Sequence, residues 1–347
     1  MNRLNHFLWM CRLVSPFSAR EQIIADVPRP LSWEMVIAAA SAHLIAPFVS
    51  PCLEEKQLLD LVPPEARTAL EQLYLLNAER NAALTGQIER VSRTLNHAGI
   101  EPVWLKGAAR LIEGSKWSTM RMMFDLDLWV PDAALEATNN ALKADGYRIR
   151  TSNDEGGDPH GAALFHDGET ARVEVHHHVV PQALARLLPN ERLLECARFF
   201  DWRGLRVGVP SMGDQILNIA SQDLSQMLRG MVGANRPLEF VKLCSEHGVE
   251  RSVNLIRDAF REAGEAEFAE EYLALASALF GLPGEFTARA LVKTFLLRVR
   301  NPRLYGLWLA YRDLRLNLEE FPLPAPHVFL EKLMRRTRGA LKRRGAW

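Results

Sequence analysis

Residues 124–130, with the sequence FDLDLWV, place two carboxylates in an otherwise apolar strand pattern. Side chains of a β-strand alternate between the two faces of a sheet, so Asp125 and Asp127 share one face and Leu126 and Leu128 share the other. Two carboxylates about 7 Å apart on one face repel each other unless positive charge lies between them. The pattern predicts a divalent cation there, Mg²⁺ or Mn²⁺. It leaves open a surface edge strand with a solvated acidic side.

Two other segments favour the metal interpretation. Residues 101–111 read as a short apolar strand that turns into a helix at Gly107, where the missing Cβ lets the backbone approach a ligand closely. Free N–H groups at the start of that helix can cradle a phosphate. Residues 171–176 predict a second alternating strand with Glu174 and His176 on one face. A third carboxylate on an adjacent strand would complete a cluster able to hold two metal ions.

The order of these residues resembles an uncharacterised family of bacterial nucleotidyltransferases of the polymerase-beta-like nucleotidyltransferase superfamily. The resemblance also includes the segments AGIEPVWLKG and ALFGLPG and extends over roughly residues 35–290. The motif residues that carry it are Lys106, Gly107, Arg121, Asp125, Asp127, Glu174 and His176.

The resemblance implies that Asp125 and Asp127 are the metal-binding pair. It makes Glu174 the third carboxylate, which helps to activate the attacking hydroxyl. It also keeps His176 near the site, where a direct catalytic role, a structural role and a substrate contact remain open. The three consecutive histidines that begin at His176 cannot converge on one ion, because neighbouring strand residues face opposite sides.

The resemblance places Lys106 and Gly107 in the phosphate-cradling turn. The superfamily has a second Gly or Ser where this chain has Ala108, a departure that removes a hydroxyl contact but keeps the backbone donor. Arg121 matches the family's arginine four residues before the first aspartate. It can supply positive charge to a triphosphate, or it can form an ion pair that orients Asp125 or Asp127, and spacing does not separate these two roles.

The activity that the resemblance implies is transfer of a nucleotidyl group from a nucleoside triphosphate, with release of pyrophosphate. The acceptor would be a hydroxyl or phosphate of a small molecule, sugar or peptide. In such reactions the protein mainly aligns the reactants and neutralises charge. Two alternatives remain open: a phosphotransferase that moves the terminal phosphate, and a catalytically silent nucleotide- or partner-binding module with the same fold.

Composition is that of an ordinary globular chain. Its 347 residues include 42 Lys plus Arg and 42 Asp plus Glu, a balance that gives no support to a long nucleic-acid partner. The four cysteines form no CxxC pair, so we expect reduced thiols and neither disulfides nor a zinc site. The apolar N-terminal run is interrupted by Arg12, which predicts no signal peptide, no transmembrane segment and a cytoplasmic location.

The pattern of elements predicts an α+β fold in three regions. A helical region at 1–99 ends with a long helix at about 64–97. A small mixed-sheet nucleotidyltransferase core occupies 100–180, and a helical region occupies 181–347. Residues 332–344 contain seven basic and no acidic side chains. This basic tail is predicted either to contact an acidic partner or to be a solvated helix end.

Overall fold

The computed structural model describes residues 3–149, 163–180, 184–228 and 233–301, without the side chains of 225–228. The chain divides into two compact units, 1–296 and 297–347, and the sheet lies in the first. The described α-helices are α1 (Arg3–Val14), α2 (Arg20–Ala25), α3 (Trp33–Ala42), α4 (Ala46–Glu55), α5 (Pro64–His97), α6 (Lys106–Ile112), α7 (Asp132–Ala144), α8 (Asn190–Cys196), α9 (Met212–Leu228), α10 (Asn235–His247), α11 (Val249–Glu262), α12 (Ala266–Phe280) and α13 (Ala290–Arg300).

Within the described residues, seven strands form one mixed sheet in the order β3-β4-β5-β2-β1-β7-β6. They are β1 (Val103–Trp104), β2 (Asp125–Trp129), β3 (Arg148–Ile149), β4 (Ala163–Phe165), β5 (Arg172–His176), β6 (Arg198–Trp202) and β7 (Leu205–Val209). The α+β class with helical flanks is therefore confirmed. The acidic strand β2 lies in the middle of the sheet, so it is not an edge strand.

Strand β2 pairs in parallel with β5. The paired Cα positions are Asp125 with Arg172, Asp127 with Glu174, and Trp129 with His176. Residues in register on neighbouring strands project from the same face, so this pairing brings the acidic face of β2 beside the polar face of β5.

The prediction of helix from 181 onward is wrong for 198–209, which forms the hairpin β6–β7. Its two-residue turn has Arg203 at φ 57° and Gly204 at φ 76°, and two positive φ values match the right-handed twist of hairpin strands. Strand β7 then pairs in parallel with β1, at Val103 and Gly208. The sheet thus includes residues outside 100–180, and the division into three regions stays a prediction.

One face of the sheet is covered by α5, whose bounds match the predicted long helix. Its residues Leu84, Ile88, Val91 and Leu95 recur at helical spacing and are fully buried. They belong to a core cluster with the apolar side chains of the two central strands, Leu126, Leu128, Val173 and Val175. Burial of each such side chain contributes about 1.5–3 kcal/mol, so this packing fixes which face of β2 is apolar.

Polar side chains of α5 also bind the segments that lead into β2 and β5. The Gln87 amide donates to the Ala171 carbonyl (2.7 Å) and accepts from the Ala171 N–H (3.0 Å), just before β5 begins. Asn81 Nδ2 donates to the carbonyls of Ser118 (2.8 Å) and Arg121 (2.9 Å), in the segment that leads into β2. The long helix therefore positions both site-bearing strands.

The opposite face of the sheet carries a smaller apolar cluster. A second cluster packs Trp129 of β2 against apolar residues that follow β5, among them Val179, Leu188 and Leu193. This cluster covers the end of β2 and leaves the carboxylates at its beginning as the polar part of that face.

The predicted basic tail at 332–344 lies outside the described residues. No helix within the described ranges combines the length and apolarity needed to cross a membrane.

We expect Gln87→Leu to destabilise the fold by about 1–3 kcal/mol, because the buried Ala171 N–H and carbonyl lose their partner. The matched control is Gln72→Leu, at an exposed position of the same helix, where we expect a change within about 0.5 kcal/mol. Urea unfolding followed by circular dichroism measures both. Equal effects of the two substitutions would show that the Gln87 amide does not hold β5.

Candidate active site

The parallel strands β2 and β5 bring three potential metal ligands together. One ligand atom from each of Asp127, Glu174 and His176 lies within 4.8 Å of the other two. Asp127 and His176 are buried and Glu174 is partly buried. Carboxylate oxygens and imidazole nitrogens are common ligands of divalent metals, so the three side chains fit a metal ion.

Asp127 is the most strongly held of these groups. Lys106 Nζ donates to its Oδ1 at 2.5 Å, and His176 Nε2 lies 2.7 Å from the same oxygen. Burial by itself would raise the pKa of Asp127, but the charge of Lys106 and the hydrogen bonds from His176 and Lys106 outweigh burial and hold that pKa well below its usual value. Because Asp127 is ionised and can only accept, His176 Nε2 carries the proton that the two share.

Lys106 reaches Asp127 through an uncommon backbone conformation. Its φ is 50°, in the left-handed region that costs a residue with a Cβ about 1–2 kcal/mol. It is the first residue of α6, and the preceding Leu105 N–H donates to the Asp127 carbonyl at 2.9 Å. The strand-to-helix turn is thus tied to β2, and the ammonium is held over the acidic face at a conformational cost.

Asp125 points to the same face but has a different partner. Arg172 Nη2 lies 3.2 Å from Asp125 Oδ2 and 2.7 Å from Glu174 Oε1. The three ligand residues that meet within 4.8 Å are Asp127, Glu174 and His176, without Asp125. The metal-binding role of Asp125 therefore stays a prediction, and the protein itself supplies a cation between two of the carboxylates.

Sequence reasoning missed Arg172. A signal for it was present, because Arg172 precedes Glu174 by two residues on an alternating strand and so shares its face. What the sequence did not provide was the register of β5 against β2, which sets Arg172 beside Asp125.

The environments of Glu174 and Asp127 push their pKa values in opposite directions. Burial, followed by repulsion from Asp127 and Asp125, raises the pKa of Glu174 above its ordinary value, and Arg172 opposes this shift. Adjacent carboxylates whose pKa values are pushed apart are suited to different tasks. Asp127 is suited to remain an anionic ligand, and Glu174 is suited to accept a proton.

Gly107 is buried beneath Arg121. A Cβ added to Gly107 would lie 2.1 Å from Arg121 Nη1 and 2.2 Å from Met123 Sδ. Any larger residue at this position would therefore displace these two side chains. The adjacent Ala108 is buried in the core cluster beneath the sheet. Phosphate binding by Gly107 and Ala108 stays a prediction.

Arg121 forms its direct ion pair with a residue of α10. Its Nε donates to Glu239 Oε2 at 2.9 Å. Burial would lower the pKa of Arg121, but Glu239, Asp127 and Asp125 outweigh burial and raise it. The hydrogen-bonded partner of Arg121 is therefore Glu239 and not Asp125 or Asp127.

Asp223 lies on α9, where it is buried against Tyr272. The Tyr272 hydroxyl donates to Asp223 Oδ2 at 2.7 Å, and burial raises the pKa of Asp223 to about 7. This carboxylate is buried within the helical region and is not part of the three-ligand cluster.

Comparison with known families agrees with this geometry. A family model described as an uncharacterised nucleotidyltransferase matches residues 29–281. The chain belongs to this family. The matched region includes β2, β5 and α10, and so contains every site residue described above. No curated protein matches the chain.

We expect Gly107→Ala to destabilise the protein by about 1–3 kcal/mol, because the new methyl group overlaps Arg121 and Met123. The control is Gly86→Ala, also within a helix, where the nearest atom is the mobile end of Arg90 at 3.3 Å. There we expect a gain of up to about 1 kcal/mol from helix propensity. Chemical denaturation compares them, and a Gly107→Ala protein as stable as Gly86→Ala would contradict the packing.

Proposed function

We propose that this protein transfers a nucleotidyl group from a nucleoside triphosphate to a hydroxyl or phosphate of a small molecule, sugar or peptide. The observation that carries the proposal is the convergence of Asp127, Glu174 and His176 in a member of a nucleotidyltransferase family. We further assign the family to the polymerase-beta-like superfamily, on the basis of an Asp-x-Asp strand beside a strand with a third acidic residue. No long nucleic-acid partner and a cytoplasmic location are part of the same proposal.

The donor set supports a divalent metal as the cofactor. Asp127 and Glu174 offer oxygen and His176 offers nitrogen within one small space. When bound there, a metal ion would supply positive charge to the phosphate oxygens. Since His176 Nε2 and Lys106 Nζ both contact Asp127 Oδ1, metal binding competes with these two contacts.

The protein's own groups then have separate tasks. The hydroxyl oxygen of the acceptor bonds to the α-phosphorus, and Glu174 takes the hydroxyl proton. The bond from that phosphorus to pyrophosphate breaks at the same time. The raised pKa of Glu174 suits it to accept that proton. Lys106 and Arg121 supply positive charge beside the carboxylates, where the triphosphate would add negative charge.

One observation favours the catalytically silent module as the second candidate. Lys106 already pairs with Asp127, and Arg172 pairs with both Asp125 and Glu174. The chain can therefore balance its acidic face without a metal ion. Measurement of metal-dependent turnover separates the two candidates.

We expect Asp127→Asn to lower metal-dependent triphosphate turnover by about a thousandfold or more, because metal ions lower the barrier by several kcal/mol. Asp132→Asn, at an exposed position of α7, is the control and should retain wild-type turnover. Both variants are compared by circular dichroism to confirm folding. Wild-type turnover in Asp127→Asn would rule out the metal site.

Analysis of the products identifies the reaction type. Release of pyrophosphate with a nucleotidylated product supports nucleotidyl transfer, whereas a nucleoside diphosphate identifies a phosphotransferase. Absence of both products with each of the four ribonucleotides and either Mg²⁺ or Mn²⁺ favours the silent module.

The nitrogen ligand predicts which metal binds more tightly. Mg²⁺ prefers oxygen ligands, while Mn²⁺ accepts imidazole more readily, so we expect Mn²⁺ to bind the wild-type protein more tightly than Mg²⁺. His176→Gln should weaken Mn²⁺ binding by about 10-fold or more. It should therefore narrow the difference between the Mn²⁺ and Mg²⁺ affinities. His178→Gln, outside the three-ligand cluster, should change neither affinity. Calorimetry without nucleotide measures this, and equal Mg²⁺ and Mn²⁺ affinities in the wild type would exclude His176 as a ligand.

A further inference from the structure

A buried lysine on α10 has no carboxylate partner among the described residues. The Lys242 side chain is about 3% exposed. Its ammonium donates to the Val14 carbonyl at 3.2 Å and lies 3.3 Å from the centre of the Trp117 ring and 5.0 Å from that of Phe48. These contacts come from one carbonyl and two aromatic faces, none of which carries a full negative charge.

Such an ammonium is costly to bury. Removal of an ammonium ion from water is unfavourable, and cation–π contacts offset only part of that cost. Burial accordingly lowers the pKa of Lys242 to about 8, which leaves the amine largely protonated near pH 7. A buried positive charge without a counter-ion favours an anion supplied from outside.

Lys242 lines a cavity in which other cations already have partners. The cavity is also lined by Arg110, Arg121, Trp117 and Glu239. Arg110 bonds to Glu113 and Glu246, and Arg121 bonds to Glu239. Of these three cations, Lys242 is the one that forms no ion pair with a described carboxylate, and the charge of Glu55 acts on it only from beyond ion-pair distance.

The size of the cavity limits what can bind. The space open to water-sized groups is about 40 Å³, enough for roughly three water molecules. A carboxylate or phosphate group fits such a space.

Arg121 connects this cavity with the acidic face of the sheet. It lines the cavity, its guanidinium packs over Gly107, and the charges of Asp125 and Asp127 act on it. A group bound beside Lys242 is therefore next to the candidate active site, on the α10 side of Arg121.

We propose that this cavity binds a compact anionic group of the acceptor, a carboxylate or a phosphate, with Lys242 as its counter-ion. The assignment of this group to the acceptor rests on the proposed function, but the existence of the anion site does not. The acceptor thus belongs to the class of anionic small molecules, and its reactive hydroxyl or phosphate extends past Arg121 toward Glu174.

The test uses the full-length protein without metal or nucleotide. Thermal unfolding is followed against inorganic phosphate and, separately, against acetate, at constant ionic strength maintained with chloride. A rise of the midpoint with either anion yields its dissociation constant. The anion with the tighter binding identifies which of the two groups the acceptor carries.

We expect Lys242→Met to weaken binding of the preferred anion at least 10-fold and to leave the unliganded midpoint unchanged or higher, because the buried charge is gone. Lys143→Met, at an exposed position of α7, is the control and should bind as the wild type does. If Lys242→Met does not fold, Lys242→Gln replaces it, since the amide can still donate to the Val14 carbonyl. A wild-type protein that responds to neither anion would overturn the proposal, as would unchanged affinity in the lysine variants.

Two further variants locate the anion. We expect Lys106→Met to keep the rise of the unfolding midpoint with anion. If Lys106→Met loses that rise while Lys242→Met keeps it, the anion binds at the acidic face and the proposal is overturned. Asp127→Asn should also keep the rise while losing turnover. The anion site and the metal-dependent reaction can therefore fail independently.

Discussion

The parallel register of β2 and β5 is the constraint on which the site depends. It pairs Asp127 with Glu174 at the Cα level and so brings their side chains, with that of His176, to one face. A shift of one residue would turn Glu174 toward the core, because strand side chains alternate between faces. Burial of the apolar residues of both strands against α5 opposes that shift, since it would expose them. The hydrophobic core thus determines the geometry of the polar site.

The same face shows how a folded chain tolerates clustered acids. Lys106 neutralises Asp127, and Arg172 bridges Asp125 and Glu174. These cations come from a strained strand-to-helix turn and from the neighbouring strand. Burial and the two neighbouring carboxylates raise the pKa of Glu174, whereas Lys106 and His176 hold the pKa of Asp127 down, which gives two similar groups different chemical capacities. A metal ion would enter a site that already contains balancing charge.

Much of the local structure could be predicted from the sequence. The bounds of α5 follow from helical periodicity and the prolines before it, and β2 and β5 follow from strict alternation. The hairpin β6–β7 was missed because it lies among helices, and its turn pattern at Gly204 was not weighed against them. Residues 198–209 are a strand pair in part because β7 finds a partner in β1, a contact distant in sequence.

The sequence by itself determined which side chains share a strand face and which family the chain resembles, because alternation and motif order are local properties. Only the tertiary structure decided which charges meet. Arg172 reaches Asp125 through strand register, and Arg121 reaches Glu239 of α10 through helix packing. Lys242 is buried without a described carboxylate partner only because α10 packs it against Trp117. Electrostatic energy depends on distance and burial in three dimensions, and neither can be read from spacing along the chain.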